Sequence, residues 1–168
     1  NHRCISEAWT EVDVLFVGEA PGRDEDKQGR PFAGGPGGML RKTIRTLTDL
    51  DESRVGFTNI VSCRPPRNRK PNKTETASCA PKLLREIAAR KPKVIVVLGN
   101  ISLGYLTGHT GITTLCGKVL ESTRPGVEGI PIVNPGAYGR SYVRFDIEVD
   151  RKTRAVRSVK HEIVEVTG

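Results

Sequence analysis

Lys93-Val94-Ile95-Val96-Val97-Leu98-Gly99 decides the class of fold. Every position between Lys93 and Gly99 is apolar and most are β-branched, so neither face of this strand can meet water, as in a parallel sheet covered on both sides. Gly99 ends the strand, and Asn100–Leu106 follows as a short helix. Toward the amino terminus, Val12–Val17 (VDVLFV) is a strand of the same kind ending at Gly18, and Val55–Val61 (VGFTNIV) is another. Helical spacing fills the gaps. Leu40, Ile44 and Leu47 mark a helix over Met39–Leu50, and Leu83, Leu84, Ile87 and Ala88 mark one over Glu75–Lys91 with Thr74 as its cap. Gly18–Gly38 and Cys63–Lys73 read as loops. Strands alternating with helices predict an α/β fold, a three-layer α/β/α sandwich with a mostly parallel central sheet. Ligands of such sheets sit beyond the carboxyl ends of the strands. Gly18–Phe32, Cys63–Asn68 and Gly99–Asn100 are therefore expected around one cleft.

Toward the carboxyl terminus, Ile130–Val133 is a strand followed by a Gly/Pro loop. Tyr142–Val149 and Ala155–Val166 both alternate, with a turn at Asp150–Arg154, and predict a terminal β-hairpin. At 168 residues the chain fits one domain, taken as 1–168. No apolar run reaches the roughly 20 residues of a membrane span. Asn1–Glu11 is polar and mixed, without a signal-peptide pattern, so a cytoplasmic monomer is expected.

The balance of 27 Lys+Arg against 19 Asp+Glu, net +8, favours polyanionic partners through counterion release. Arg64, Arg67, Arg69, Lys70 and Lys73 crowd one Pro-rich loop and read as a phosphate-facing patch. Two motifs carry chemistry. The first is Gly18-Glu19-Ala20-Pro21-Gly22, continuing through Glu25-Asp26, Gly29, Pro31-Phe32, Gly34 and Gly37. Its glycines let backbone amides approach a planar or anionic ligand closely. Glu19, at a strand's carboxyl end, can position water or bind a polar base edge, and Phe32 can serve as a stacking platform. The second runs from Thr58-Asn59 through Cys63-Arg64-Pro65-Pro66-Arg67-Asn68-Arg69-Lys70-Pro71. The Asn59 amide can donate to a carbonyl and accept from an N–H on one base edge.

Together these blocks, with Pro92-Lys93-Val94-Ile95-Val96 and Leu98-Gly99, resemble the family 4 uracil-DNA glycosylases over Val12–Ser122, leaving 126–168 as a divergent tail. The resemblance implies excision of uracil from DNA by hydrolysis of the N-glycosidic bond, without a catalytic metal. It implies that Glu19 lies at the catalytic water and the base, that Phe32 stacks on the extruded uracil, and that Asn59 reads its Watson–Crick edge. Gly18, Ala20, Pro21 and Gly22 line the substrate site. Arg64, Arg67, Arg69 and Lys70 lie near DNA.

The resemblance also implies a 4Fe–4S cluster, with Cys4, Cys63 and Cys79 at three of four ligand positions and Asn1 at the fourth. Either that ligand is lost or another group replaces it, Cys116 being one candidate; buried thiols in a metal-free loop are the alternative. In the family a final motif follows the last strand with His, Pro and a later Arg. Here Asn134, Pro135 and Arg140 stand at those positions. Asn134 is expected to hydrogen-bond the leaving oxygen but supplies no cation, and Arg140 is expected at DNA. The segment from Ile130 to Asp150 resembles instead the closing hairpin of metallophosphoesterases of the 5′-nucleotidase type. That chemistry needs several His and Asp around two metals, and the chain has three His in all. Two readings stand: an active glycosylase, or a weak or inactive nucleic-acid-binding module of the same fold inside a larger replication or repair protein.

Overall fold

Val14–Gly18 (β1) is buried along its whole length. The computed structural model describes residues 5, 7–47, 50–135, 141–150, 153 and 156–165. β1 pairs in parallel with Val55–Asn59 (β2) on one side and Val94–Val97 (β3) on the other, with Gly18 opposite Asn59. Hydrogen bonds from Ile60 to Gly18 and from Val61 to Glu19 carry the β1–β2 pairing past the formal strand end. Val119–Leu120 (β4) and Ile132–Val133 (β5) complete a five-stranded sheet of order β2-β1-β3-β5-β4, parallel except for the β4–β5 pair. From β1 the chain goes to β2 on one flank, then crosses to β3 on the other. That switch of direction opens a crevice between β1 and β3.

Four α-helices are present among the described residues: Arg23–Gln28 (α1), Gly35–Leu47 (α2), Lys73–Arg90 (α3) and Asn100–Thr107 (α4). Alternation along the strands divides the core in two. Leu15, Val17, Ile95, Val97 and Ile132 pack with Leu83 and Ile87 of α3 and with Leu103 and Leu106 of α4. Val14, Phe16, Phe57, Val94 and Val96 pack with Ile44 and Leu40 of α2. This is the expected three-layer α/β/α sandwich; burying each such side chain contributes about 1.5–3 kcal/mol. α3 also carries a buried ion pair, Arg90 Nε donating to Glu86 at 3.0 Å, with the Thr58 hydroxyl of β2 donating to the other Glu86 oxygen at 2.9 Å.

Several boundaries differ from expectation. Gly18–Gly38 is not one loop, because it holds α1 and the first turn of α2. The cap of α3 is Asn72, not Thr74. Asn72 Oδ1 accepts from the Glu75 N–H at 2.8 Å while Glu75 accepts from the Asn72 N–H at 2.9 Å. Thr74 lies inside the first turn. The carboxyl-terminal ribbon is present as Ser141–Val149 (β6) and Val156–Glu165 (β7), antiparallel and forming a separate two-stranded sheet. Among the described residues no helix is long and apolar enough to cross a membrane.

Candidate active site

The carboxyl ends of β1, β2 and β3 open into one cleft of about 1030 Å³, whose lining includes Glu19, Phe32, Asn59, Leu98 and Gly99. Gly18 sets its floor. A Cβ there would lie 2.4 Å from Asn59 Oδ1 and 2.8 Å from Phe32 Cζ, so the amide and the ring edge meet over a bare backbone that any other residue would obstruct. Asn59 is buried at the end of β2, and its amide makes no hydrogen bond to any described residue. An uncommitted amide in a cleft has its donor and acceptor ready for a ligand.

Glu19 stands on the other side of the crevice, over Gly99. Gly99 has a φ of +109°, and a Cβ there would lie 2.4 Å from Glu19 Oε1. Oε1 accepts from the N–H of Ile101 in the first turn of α4 at 3.0 Å. A helix amino terminus stabilises an anion, so one oxygen anchors the carboxylate. The other has no hydrogen-bond donor among the described residues. An acid held this way can orient water or stabilise a developing positive charge.

Phe32 is held in the left-handed region, φ 54°, unusual for a bulky residue and a conformation maintained only by its surroundings. Those surroundings are explicit. Its N–H donates to Glu25 Oε1 at 2.7 Å, while Glu25 Oε2 accepts from Gly22. Arg41 Nε donates to its carbonyl at 3.2 Å, and Arg41 Nη2 to the Pro31 carbonyl at 2.9 Å. α2 leans on its backbone at Gly37, where a Cβ would lie 2.5 Å from Phe32 Cα. The Phe32 ring sits 5.4 Å from Phe57 and tilted against it, and Phe57 stacks on its cross-strand neighbour Phe16 at 5.3 Å, so the ring at the cleft rests on a pair of core rings. Glu25 belongs to a motif already singled out. Arg41 was missed, since one Arg in a basic helix carries no signal by itself.

Other expected residues divide. Gly22 and Ala20 line the cleft, whereas Pro21 is buried outside the lining. Asn134 is the residue expected at the leaving oxygen. It is fully buried and absent from the lining, and its Nδ2 donates to the Ile112 carbonyl at 2.8 Å. Asn100 Oδ1 accepts from the Ile112 N–H at 2.9 Å. Ile112 lines the cleft, so Asn134 holds the backbone of a lining residue.

The basic loop is less uniform than its composition implied. Arg69 is bound through both terminal nitrogens to Glu75, at 2.6 and 2.7 Å. This pairing, with the Asn72 N–H, lowers the Glu75 carboxyl to about 2 and raises the Arg69 guanidinium. Arg64 donates to Asn68 at 2.6 Å and lies 3.9 Å from Asp26. Arg67 is exposed, and Lys70 lines the cleft. Arg23, not anticipated, lines it too. Neither Lys70 nor Arg23 has an acidic partner among the described residues. Arg140 and Cys4 lie outside the described residues.

Among the described residues no three His, Cys, Asp or Glu side chains form a group that could hold a metal. Cys63 and Cys79 are free, half-buried thiols, and a 4Fe–4S cluster takes four thiolates. The Ile5 N–H donates to the Ser62 carbonyl at 2.8 Å, joining the amino-terminal segment to the Cys63 turn. Cys116 does not fit as a substitute ligand. Its Sγ donates to the carbonyl of Pro135, beyond β5. β5 stands three strands from β2, about 14 Å at the usual ~4.8 Å spacing. The described donors therefore do not complete a cluster.

The chain matches the uracil DNA glycosylase superfamily over residues 7–155, a span that extends into the 126–168 tail. It is 43% identical over 117 residues to a type-4 uracil-DNA glycosylase of Sulfurisphaera tokodaii, covering 67% of this chain and 53% of that one. A type-4 uracil-DNA glycosylase of Archaeoglobus fulgidus is 38% identical over 149 residues, 84% of this chain and 74% of its own. One from Thermotoga maritima is 41% identical over 133 residues, 78% and 68% respectively. The chain thus spans about half the length of the Sulfurisphaera relative.

Proposed function

Because the chain belongs to the uracil DNA glycosylase superfamily, we propose that it removes uracil from DNA by hydrolysing the N-glycosidic bond. The observation that carries this is the meeting of Phe32 and Asn59 over Gly18, with Glu19 across the same cleft. The base must leave the helix, since its glycosidic carbon cannot be reached within a stack. Phe32 offers the ring on which the extruded uracil stacks. The Asn59 amide donates to the O4 carbonyl and accepts from N3–H. Glu19 orients a water toward C1′ and offsets the positive charge that grows there. The water oxygen bonds to C1′, the C1′–N1 bond breaks, uracil departs as an anion, and the water proton passes to the Glu19 carboxylate. No step requires a metal.

DNA is the proposed partner, approached through Lys70 and Arg23 at the rim, with Arg67, which is exposed, and Arg140 as further contacts; the protein acts as a monomer. Cys4, Cys63 and Cys79 would hold an iron–sulfur cluster, whose fourth ligand is not a cysteine at position 1. Such a group would brace the amino-terminal segment against the Cys63 turn.

Asn134 favours a second reading, a binding module without catalysis, because the position expected to support the leaving base is turned inward. Alkali treatment of uracil-containing single strands after incubation with the protein separates the two. Strand breakage at uracil that Asn59→Asp abolishes supports the glycosylase. Salt-sensitive binding without breakage selects the module. Iron and sulfide assayed on the same preparation test the cluster, and a folded, iron-free protein rules it out.

A further inference from the structure

The stacking ring is not self-supporting. Phe32 keeps a left-handed backbone conformation, and side chains grip it from both directions: Glu25 at its N–H, Arg41 at its carbonyl. Arg41 does more than grip the backbone. Its guanidinium lies 3.9 Å over the Phe57 ring, the same ring that packs beneath Phe32. Its Nη2 also reaches Glu7, 34 residues away in sequence, and the pair is largely shielded from water. A planar guanidinium can satisfy two carbonyls, a carboxylate and an aromatic face at once, which an ammonium cannot.

We infer that Arg41 is the positioning residue of the base-stacking platform and that Glu7 completes it, so that the amino-terminal segment sets how well the cleft holds an extruded pyrimidine. This rests on the proposal that Phe32 stacks on the base. The reach of the amino-terminal segment is twofold. Ile5 is bonded to Ser62 beside the Cys63 turn, and Glu7 is bonded to Arg41 behind the platform. One short stretch therefore ties the cysteine-bearing loop to the stacking ring.

A double-mutant cycle tests it. The readouts are kcat and KM for a uracil-containing single strand, together with anisotropy binding of that strand against its thymine counterpart. Arg41→Gln is expected to lower kcat/KM or the uracil preference about tenfold in the native background, and less than twofold where Phe32 is already alanine, because Arg41 acts through that ring. Arg41→Lys should recover part of the loss. Glu7→Gln should show a smaller loss, about threefold, that likewise vanishes without Phe32. If Arg41→Gln does not fold, Arg41→Lys and Glu7→Gln carry the same cycle. Equal penalties in both backgrounds overturn the inference and leave the stacking role standing. If Phe32→Ala alone changes neither excision nor uracil preference, the stacking role itself is wrong, and the inference falls with it.

Discussion

At the scale of single residues, the site turns on what Gly18 lacks. Its backbone lies outside the left-handed region, so the chain itself tolerates alanine there. The added methyl group would meet Asn59 Oδ1 and Phe32 Cζ well inside contact distance. Displacement of catalytic groups by about 1 Å costs roughly 100-fold. Gly18→Ala should therefore lose about 100-fold in excision rate with an unchanged far-ultraviolet circular dichroism spectrum and unchanged binding to uracil-free DNA. An alanine variant that excises at the native rate would show that the amide and ring need not meet there. Residue types and motif order made Glu19, Phe32 and Asn59 legible from sequence. Asn134 was not, because its orientation depends on a carbonyl 22 residues away. Arg41 was hidden for the same reason, since its partners lie in three separate segments.

Among the elements, α3 begins with a charged device that reaches outside the helix, to Arg69. Asn72 and Glu75 cap each other, and Arg69 locks the glutamate from outside. The Glu75 carboxyl is thereby brought from an ordinary value near 4.5 down to about 2. A carboxyl that binds its proton less readily when folded stabilises the fold fully above its unfolded value. That contribution disappears as pH falls through the folded value. Thermal melts between pH 5 and pH 2 should show native protein losing stability across that window, whereas Glu75→Gln, which has no charge to lose, changes less. Parallel pH profiles for the two proteins would contradict the capping role. The spacing Asn72-x-x-Glu75 was present in the sequence all along, and Thr74 only competed for the same role. α1 was harder to find. Its six residues bury nothing, so no apolar stripe distinguishes it from a loop. The strands were plain because β1 and β3 are buried on both faces and their composition must say so.

For the whole molecule, a net charge of +8 conceals an uneven distribution. Arg69 and Arg41 are committed to carboxylates, while Lys70 and Arg23 border the cleft without one among the described residues. Binding to uracil-free single strands at several salt concentrations should give a log–log slope that falls by roughly 0.7 for Lys70→Gln and again for Arg23→Gln. Arg69→Gln should leave the slope as it is; an equal fall there would mean that the patch works by bulk charge. The contact of Phe32 with the paired rings of Phe57 and Phe16 has a broader consequence. Phe32 leans on Phe57, and Phe57 stacks on its cross-strand neighbour Phe16, so a substitution at Phe16 reaches the cleft through two ring contacts. The packing that holds α2 against the sheet is thus the same packing that fixes where the Phe32 ring stands in the cleft.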